Sequence, residues 1–144
     1  MKLLMLLIIV LITFFVSGCD PTDNRFTIVN ETERPLFYTT SPYDTIEGNS
    51  PFQTFFEISN KDSVWIESDY FIKPKGEKKK MVMSDWEEMV EKNFNGKIYV
   101  FIFDADTLQQ YTWDEIKRNN KFVHKYKFGV EELKKVDWKV RVKK

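Results

Sequence analysis

The chain has 144 residues, equal numbers of basic and acidic side chains (22 each) and one cysteine. A balanced charge gives no electrostatic footprint for nucleic acid, and one cysteine excludes an internal disulfide framework. Aromatic residues make up 16% of the chain, enough to fill the interior of one domain with large side chains.

The N-terminus reads as an address. Met1-Lys2 supplies a short positive start, and Leu3 to Val16 is a run of fourteen residues that only Thr13 interrupts. Such a run is shorter than the roughly 20 residues needed to cross a bilayer's hydrocarbon core. It leads instead into the small residues of Val16-Ser17-Gly18-Cys19, the layout of a cleaved signal peptide. These four residues resemble the lipobox of bacterial lipoproteins. The resemblance implies that residues 1–18 are removed and that Cys19 becomes the mature N-terminus, carrying diacylglycerol through a thioether and an acyl chain such as palmitate on its amine. One chain holds a protein to a membrane only marginally, whereas two or more hold it stably. A lipidated Cys19 leaves no free thiol, so the fold stands without a disulfide.

Residues 19–24 form a short tether of about 18 Å at most, at ~3.5 Å per residue, and residues 25–144 are expected to make one globular domain. Asp20 resembles the signal that retains enterobacterial lipoproteins in the inner membrane.

Behind the tether, Phe26 and Ile28, then Leu36 and Tyr38, alternate in strand fashion around Asn30-Glu31-Thr32-Glu33-Arg34-Pro35, which predicts a hairpin. Asn30-Glu31-Thr32 matches a glycosylation acceptor, read here as coincidence. Pro42, Gly48 and Pro51 break the stretch to Asn60 into irregular chain, anchored by Phe52, Phe55, Phe56 and Ile58. Val64, Trp65 and Ile66 form another strand. A basic loop follows from Lys73 to Lys80. Ser84-Asp85-Trp86-Glu87 then fits a capping box that opens a helix with Trp86, Met89 and Val90 on one face, stopped at Asn95-Gly96.

Lys97 to Phe103 is apolar on both faces and is expected to be a central strand. Thr112-Trp113-Asp114-Glu115 is a second capping box, opening a helix that ends at Asn119-Asn120. Phe122 to Phe128 alternates as a strand, Val130 to Val136 reads as a short helix with Leu133 inward, and Trp138 to Val142 closes as an edge strand with one wet face. The expected fold is α+β: a mainly antiparallel sheet or small sandwich with two or three short helices.

Segments of "YVFIFDADTLQQYTWDEIKRNNKFVHKYKFGVEELKKVDWKV", with Ile28-Val29-Asn30, resemble a family of small lipoproteins of the Bacteroidetes. Its members share an "FIFDADTL" strand, a "W-[DE]-E-I" helix and a closing "L-K-K-x-x-W" segment. The resemblance covers the C-terminal third well and the middle poorly. It implies an envelope address and no particular activity. Many lipoproteins of that phylum reach the outer membrane, so the outer membrane is favoured over the inner one despite Asp20.

Asp104 and Asp106, at the end of the central strand, are the candidate chemical groups. "FIFDADTL" superficially resembles the first motif of haloacid-dehalogenase-type phosphatases, where an Asp-x-Asp pair supplies a nucleophile and a general acid. Thr107 comes one position too early for that motif, and too little chain follows for the strands that carry its other residues. The same two aspartates resemble the start of a calcium loop but lack its third acid and its glycine, which leaves them weak metal candidates. The plainer expectation makes Asp104 a turn residue and Asp106 the cap of a short helical turn through Leu108 to Gln110.

His124 is the sole histidine, on a strand face with Phe122, Tyr126 and Phe128. The chain has no zinc cluster, nucleophile elbow or glycine-rich phosphate loop, so neither a catalytic residue nor a cofactor is assigned. Glu87-Glu88 and Glu131-Glu132 fall in helix first turns, where the helix dipole favours acids. Lys73, Lys75, Lys78, Lys79 and Lys80 could meet anionic headgroups. Aromatics from Tyr43 to Phe71 could stack on a glycan. The expectation is therefore a lipid-anchored, non-enzymatic interaction or structural module that meets the bilayer through Cys19 and has an envelope protein or glycan as partner. The alternative is a lipoprotein that binds a glycan or small ligand through the 43–71 aromatics.

Overall fold

Two sheets and four short helices build an α+β fold in the computed structural model, which describes residues 22–52 and 69–143. The strands are β1 (Thr27–Asn30), β2 (Leu36–Ser41), β3 (Phe71–Ile72), β4 (Glu77–Lys79), β5 (Ile98–Asp104), β6 (His124–Phe128) and β7 (Lys139–Val142). The helices are α1 (Trp86–Asn93), α2 (Ala105–Gln110), α3 (Trp113–Asn119) and α4 (Val130–Lys135). One sheet has the order β4-β1-β7 and the other β3-β2-β5-β6. Every pairing is antiparallel except β1 with β7.

The four-stranded sheet divides two cores, because β2 and β5 carry apolar residues at successive positions and a strand sends these to opposite faces. Leu36, Tyr38, Ile98, Val100 and Ile102 face the first core, where they meet Ile28, Val140 and Val142 of the other sheet, Trp86 and Val90 of α1, and Leu133 of α4. Phe37, Phe101 and Phe103 face the second core, closed by Ile46, Phe52, Leu108 of α2 and Ile116 of α3. The expectation of a central strand at Lys97 to Phe103 is met by β5, which lies between β2 and β6. β7 is an edge strand with Arg141 exposed between buried Val140 and Val142.

The expected hairpin does not form. β1 and β2 lie in different sheets, and residues 31–35 cross between them. Asn30 makes the corner: its fully buried side chain donates from Nδ2 to the carbonyls of Arg34 (2.7 Å), Ile72 (3.2 Å) and Lys73 (3.2 Å). Its Oδ1 accepts from the Thr32 N–H (2.9 Å) and hydroxyl (2.8 Å). An alternating pattern on both sides of a polar turn cannot distinguish a hairpin from this crossing, which rests on partners more than forty residues away. The same burial keeps Asn30 inaccessible as a glycosylation acceptor.

Local signals fared unevenly. The box at Thr112 is present in full: its hydroxyl accepts the Glu115 N–H at 3.3 Å, and Glu115 accepts the Thr112 N–H at 2.9 Å. Asn120 then ends α3 in the left-handed region at φ 50°. The box placed at Ser84 is instead a cap by Asp85, which accepts the Glu88 N–H at 2.6 Å. Glu87, needed to reach back to Ser84, is drawn to Arg25. The basic loop is partly β4, with only the turn before it irregular. Phe55, Phe56, Ile58 and the strand expected at Val64 to Ile66 lie outside the described residues.

Candidate functional site

Cys19, the lipidation site expected from sequence, lies outside the described residues, which begin three positions beyond it. Asp23 pairs with Val82, each N–H donating to the other's carbonyl at 3.0 Å. Its carboxylate accepts the Arg25 Nε and the backbone N–H of Trp86, both at about 3.0 Å. Arg25 spans Asp23 and Glu87 and lies 4.6 Å from the centroid of the Trp138 ring. The bonds from Arg25 hold the Asp23 carboxyl down at about 2, and they lower Glu87 as well. The chain is therefore fixed to the fold by Asp23, within the stretch expected to be a short tether. This network joins the N-terminal segment, α1 and Trp138, the residue before β7, and nothing local in the sequence marks it, since Glu87 lies 62 positions from Arg25.

Asp104 and Asp106 divide their roles differently from the expected way. Asp104 caps α2, with its carboxylate accepting the Thr107 N–H at 2.8 Å, whereas Asp106 sits exposed in the first turn. The helical turn starts earlier than expected, at Ala105, because the cap is the aspartate that still belongs to the strand. Among the described residues no three His, Cys, Asp or Glu side chains gather in a group that could hold a metal.

His124 is half-buried and tilts against Tyr126, with ring centroids 6.0 Å apart. Phe122, expected on the same face, turns into the second core and meets Phe101 at 5.4 Å. It precedes β6 and follows the αL turn at Asn120, so strand parity does not carry back to it.

The paired acids of α1 and α4 line an open groove of about 570 Å³. Four of its five carboxylates are engaged within the fold: Glu87 with Arg25, Glu88 with Lys92, Glu131 with Lys134, and Glu132 with the Gly129 N–H at 2.7 Å. Of the clustered lysines, Lys75 pairs with Glu33, Lys78 lies near Asp69, and Lys80 reaches inward to the Thr40 hydroxyl.

In the 43–71 region, Phe52 is buried at the centre of edge-on contacts with Phe37, Tyr70, Phe103 and Trp113. Tyr70 and Phe71 pack on the same core, while Tyr43 is 52% exposed. No family profile, curated protein or solved structure matches the chain.

Proposed function

We propose that the protein is a lipid-anchored envelope module that works by contact rather than by catalysis, as expected for the small Bacteroidetes lipoproteins it resembles. The observation that carries this reading is the placement of Val16-Ser17-Gly18-Cys19 at the end of the apolar run, with Asp23 tied into the fold four positions later. Four residues span about 14 Å at most, which would hold the domain against the bilayer that takes up the lipid. The non-enzymatic part draws support from the structural work that the candidate acids already do. Asp104 caps a helix, and Glu87, Glu88, Glu131 and Glu132 are each engaged within the fold. The outer membrane is the proposed site, with a second envelope protein or a glycan as partner.

Growing cells with labelled palmitate tests the anchor. The full-length chain should take up label and sediment with membranes, and Cys19→Ala should do neither. An unlabelled wild type, or label kept by Cys19→Ala, would overturn it.

A second reading, binding of a glycan or small ligand through the 43–71 aromatics, rests on the open ring of Tyr43. Retention of envelope glycans by the full chain, lost in Tyr43→Ala, would move it to first place.

A further inference from the structure

We infer that Met81 and Met83 form the edge by which the domain rests on the bilayer that holds Cys19. This inference depends on the lipid anchor proposed above. After β4, the chain runs through Met81-Val82-Met83, with Val82 bridged to Asp23. Successive side chains of an extended segment point to opposite sides. Val82 enters the first core at 7% exposure, while Met81 and Met83 stand outward on the other side at 64% and 74%. They are the two most exposed large apolar side chains among the described residues.

What covers them follows from where the anchored chain begins. Asp23, directly opposite Val82, is four residues and so about 14 Å of chain at most from Cys19, which keeps the two methionines near the anchor. The pairing of β1 with β4 places the turn at Lys73 to Gly76 by Asn30, whose N–H donates to the Gly76 carbonyl at 2.8 Å. That basic turn therefore lies at the opposite end of the strand pair, roughly 20 Å away at ~3.3 Å per residue. The anchored end carries the two methionines, Lys73 and Lys75 lie at the far end, and Lys78, Lys79 and Lys80 lie along and just after β4 between them.

Methionine suits the boundary between headgroups and acyl chains, being unbranched, flexible and free of strong hydrogen-bonding groups. Two such side chains bind a membrane feebly by themselves. On a chain already tethered, their contact is intramolecular and gains a high effective concentration. Of the nearby acids, Asp23 and Glu87 share the Arg25 guanidinium, which offsets part of their charge towards anionic headgroups, and Asp85 caps α1.

The test uses the full-length lipidated chain, in which lipid occupies Cys19 and leaves an introduced cysteine as the sole free thiol. Met83→Cys and, as a control at the opposite end, Glu33→Cys are labelled with an environment-sensitive dye. Both are reconstituted in vesicles of phosphatidylethanolamine and phosphatidylglycerol containing a shallow nitroxide lipid. The dye at position 83 should shift its emission to the blue and be quenched, while the dye at position 33 should do neither. Adding Met81→Asp to the Met83→Cys chain should reduce the quenching. Equal emission at both positions in a chain that carries palmitate would overturn the docking edge while leaving the anchor intact. Such a result is also what a protein partner covering the methionines would give. A chain without palmitate would overturn the anchor and this inference with it.

Discussion

The carboxylate of Asp23 accepts the backbone N–H of Trp86, the first residue of α1, at 3.0 Å. A helix start leaves its first N–H groups without intrahelical partners. Here Asp85 satisfies one of them from its own cap position, and Asp23 satisfies another from the far end of the chain. The segment leading from Cys19 thus completes a helix whose buried face, Trp86 and Val90, sits in the first core.

Asp23→Asn should lower stability at neutral pH by about 1–3 kcal/mol, the usual range for losing hydrogen bonds to a charged group. The variant should also change the acid limb. Asp23 has a folded-state pKa of about 2, below its unfolded value, so its stabilisation is present above about pH 4 and fades as pH falls through about 2. Urea unfolding at several pH values should show wild type and variant converging across that window. A constant gap down to pH 2 would count against the ion pair as the source.

Asn30 is the corner between the two sheets, and Asn30→Ala should be among the most damaging single changes, at about 3 kcal/mol or more. It strips the Arg34, Ile72 and Lys73 carbonyls of a shared donor in a buried place, and each group left unsatisfied costs about 1–3 kcal/mol. Chemical denaturation reads the loss directly. Hydrogen exchange should also show faster opening of β3 and of the turn at Lys73 to Gly76, the elements that the amide ties to β1.

Asp104 and Asp106 should separate cleanly. Asp104→Ala removes the cap of α2 and should destabilise by about 1 kcal/mol. Asp106→Ala, at an exposed first-turn position, should stay within about 0.5 kcal/mol. Calorimetric titration of the full chain with magnesium or calcium should give no heat that either substitution abolishes. A saturable signal lost in Asp104→Ala would restore the metal reading.

What the sequence disclosed followed the range of each interaction. Thr112 and Glu115 are three residues apart and cap each other, so four letters sufficed to place α3. The two-faced pattern of β5 required a sheet with material on both sides, and Phe101 and Val100 now lie in different cores. The hairpin failed because Asn30 takes partners at positions 72 and 73, which no window around residue 30 contains. The cap of α1 was misplaced by one residue because Glu87 is engaged by Arg25. Nothing in the sequence separates Met81 and Met83 from Val82 between them, and only burial tells the one that enters the core from the two that do not.

Lys80 offers the last prediction, on the alkaline side. Its backbone N–H continues the β4 pairing to the Phe26 carbonyl at 2.9 Å, and its half-buried side chain places Nζ 2.7 Å from the Thr40 hydroxyl. Burial lowers the pKa of this amine below the ordinary lysine value, because removal from water disfavours the charged form. The unfolded chain therefore binds this proton more tightly than the folded one, and stability should rise with pH between the folded and the unfolded pKa. Lys80→Met keeps the length and apolar stem of the side chain while removing the charge. It should raise stability at pH 7 and flatten the alkaline slope relative to wild type, measured by urea unfolding from pH 7 to 10. Loss of stability in Lys80→Met at pH 7 would mean that the bond to Thr40 outweighs the burial of the charge.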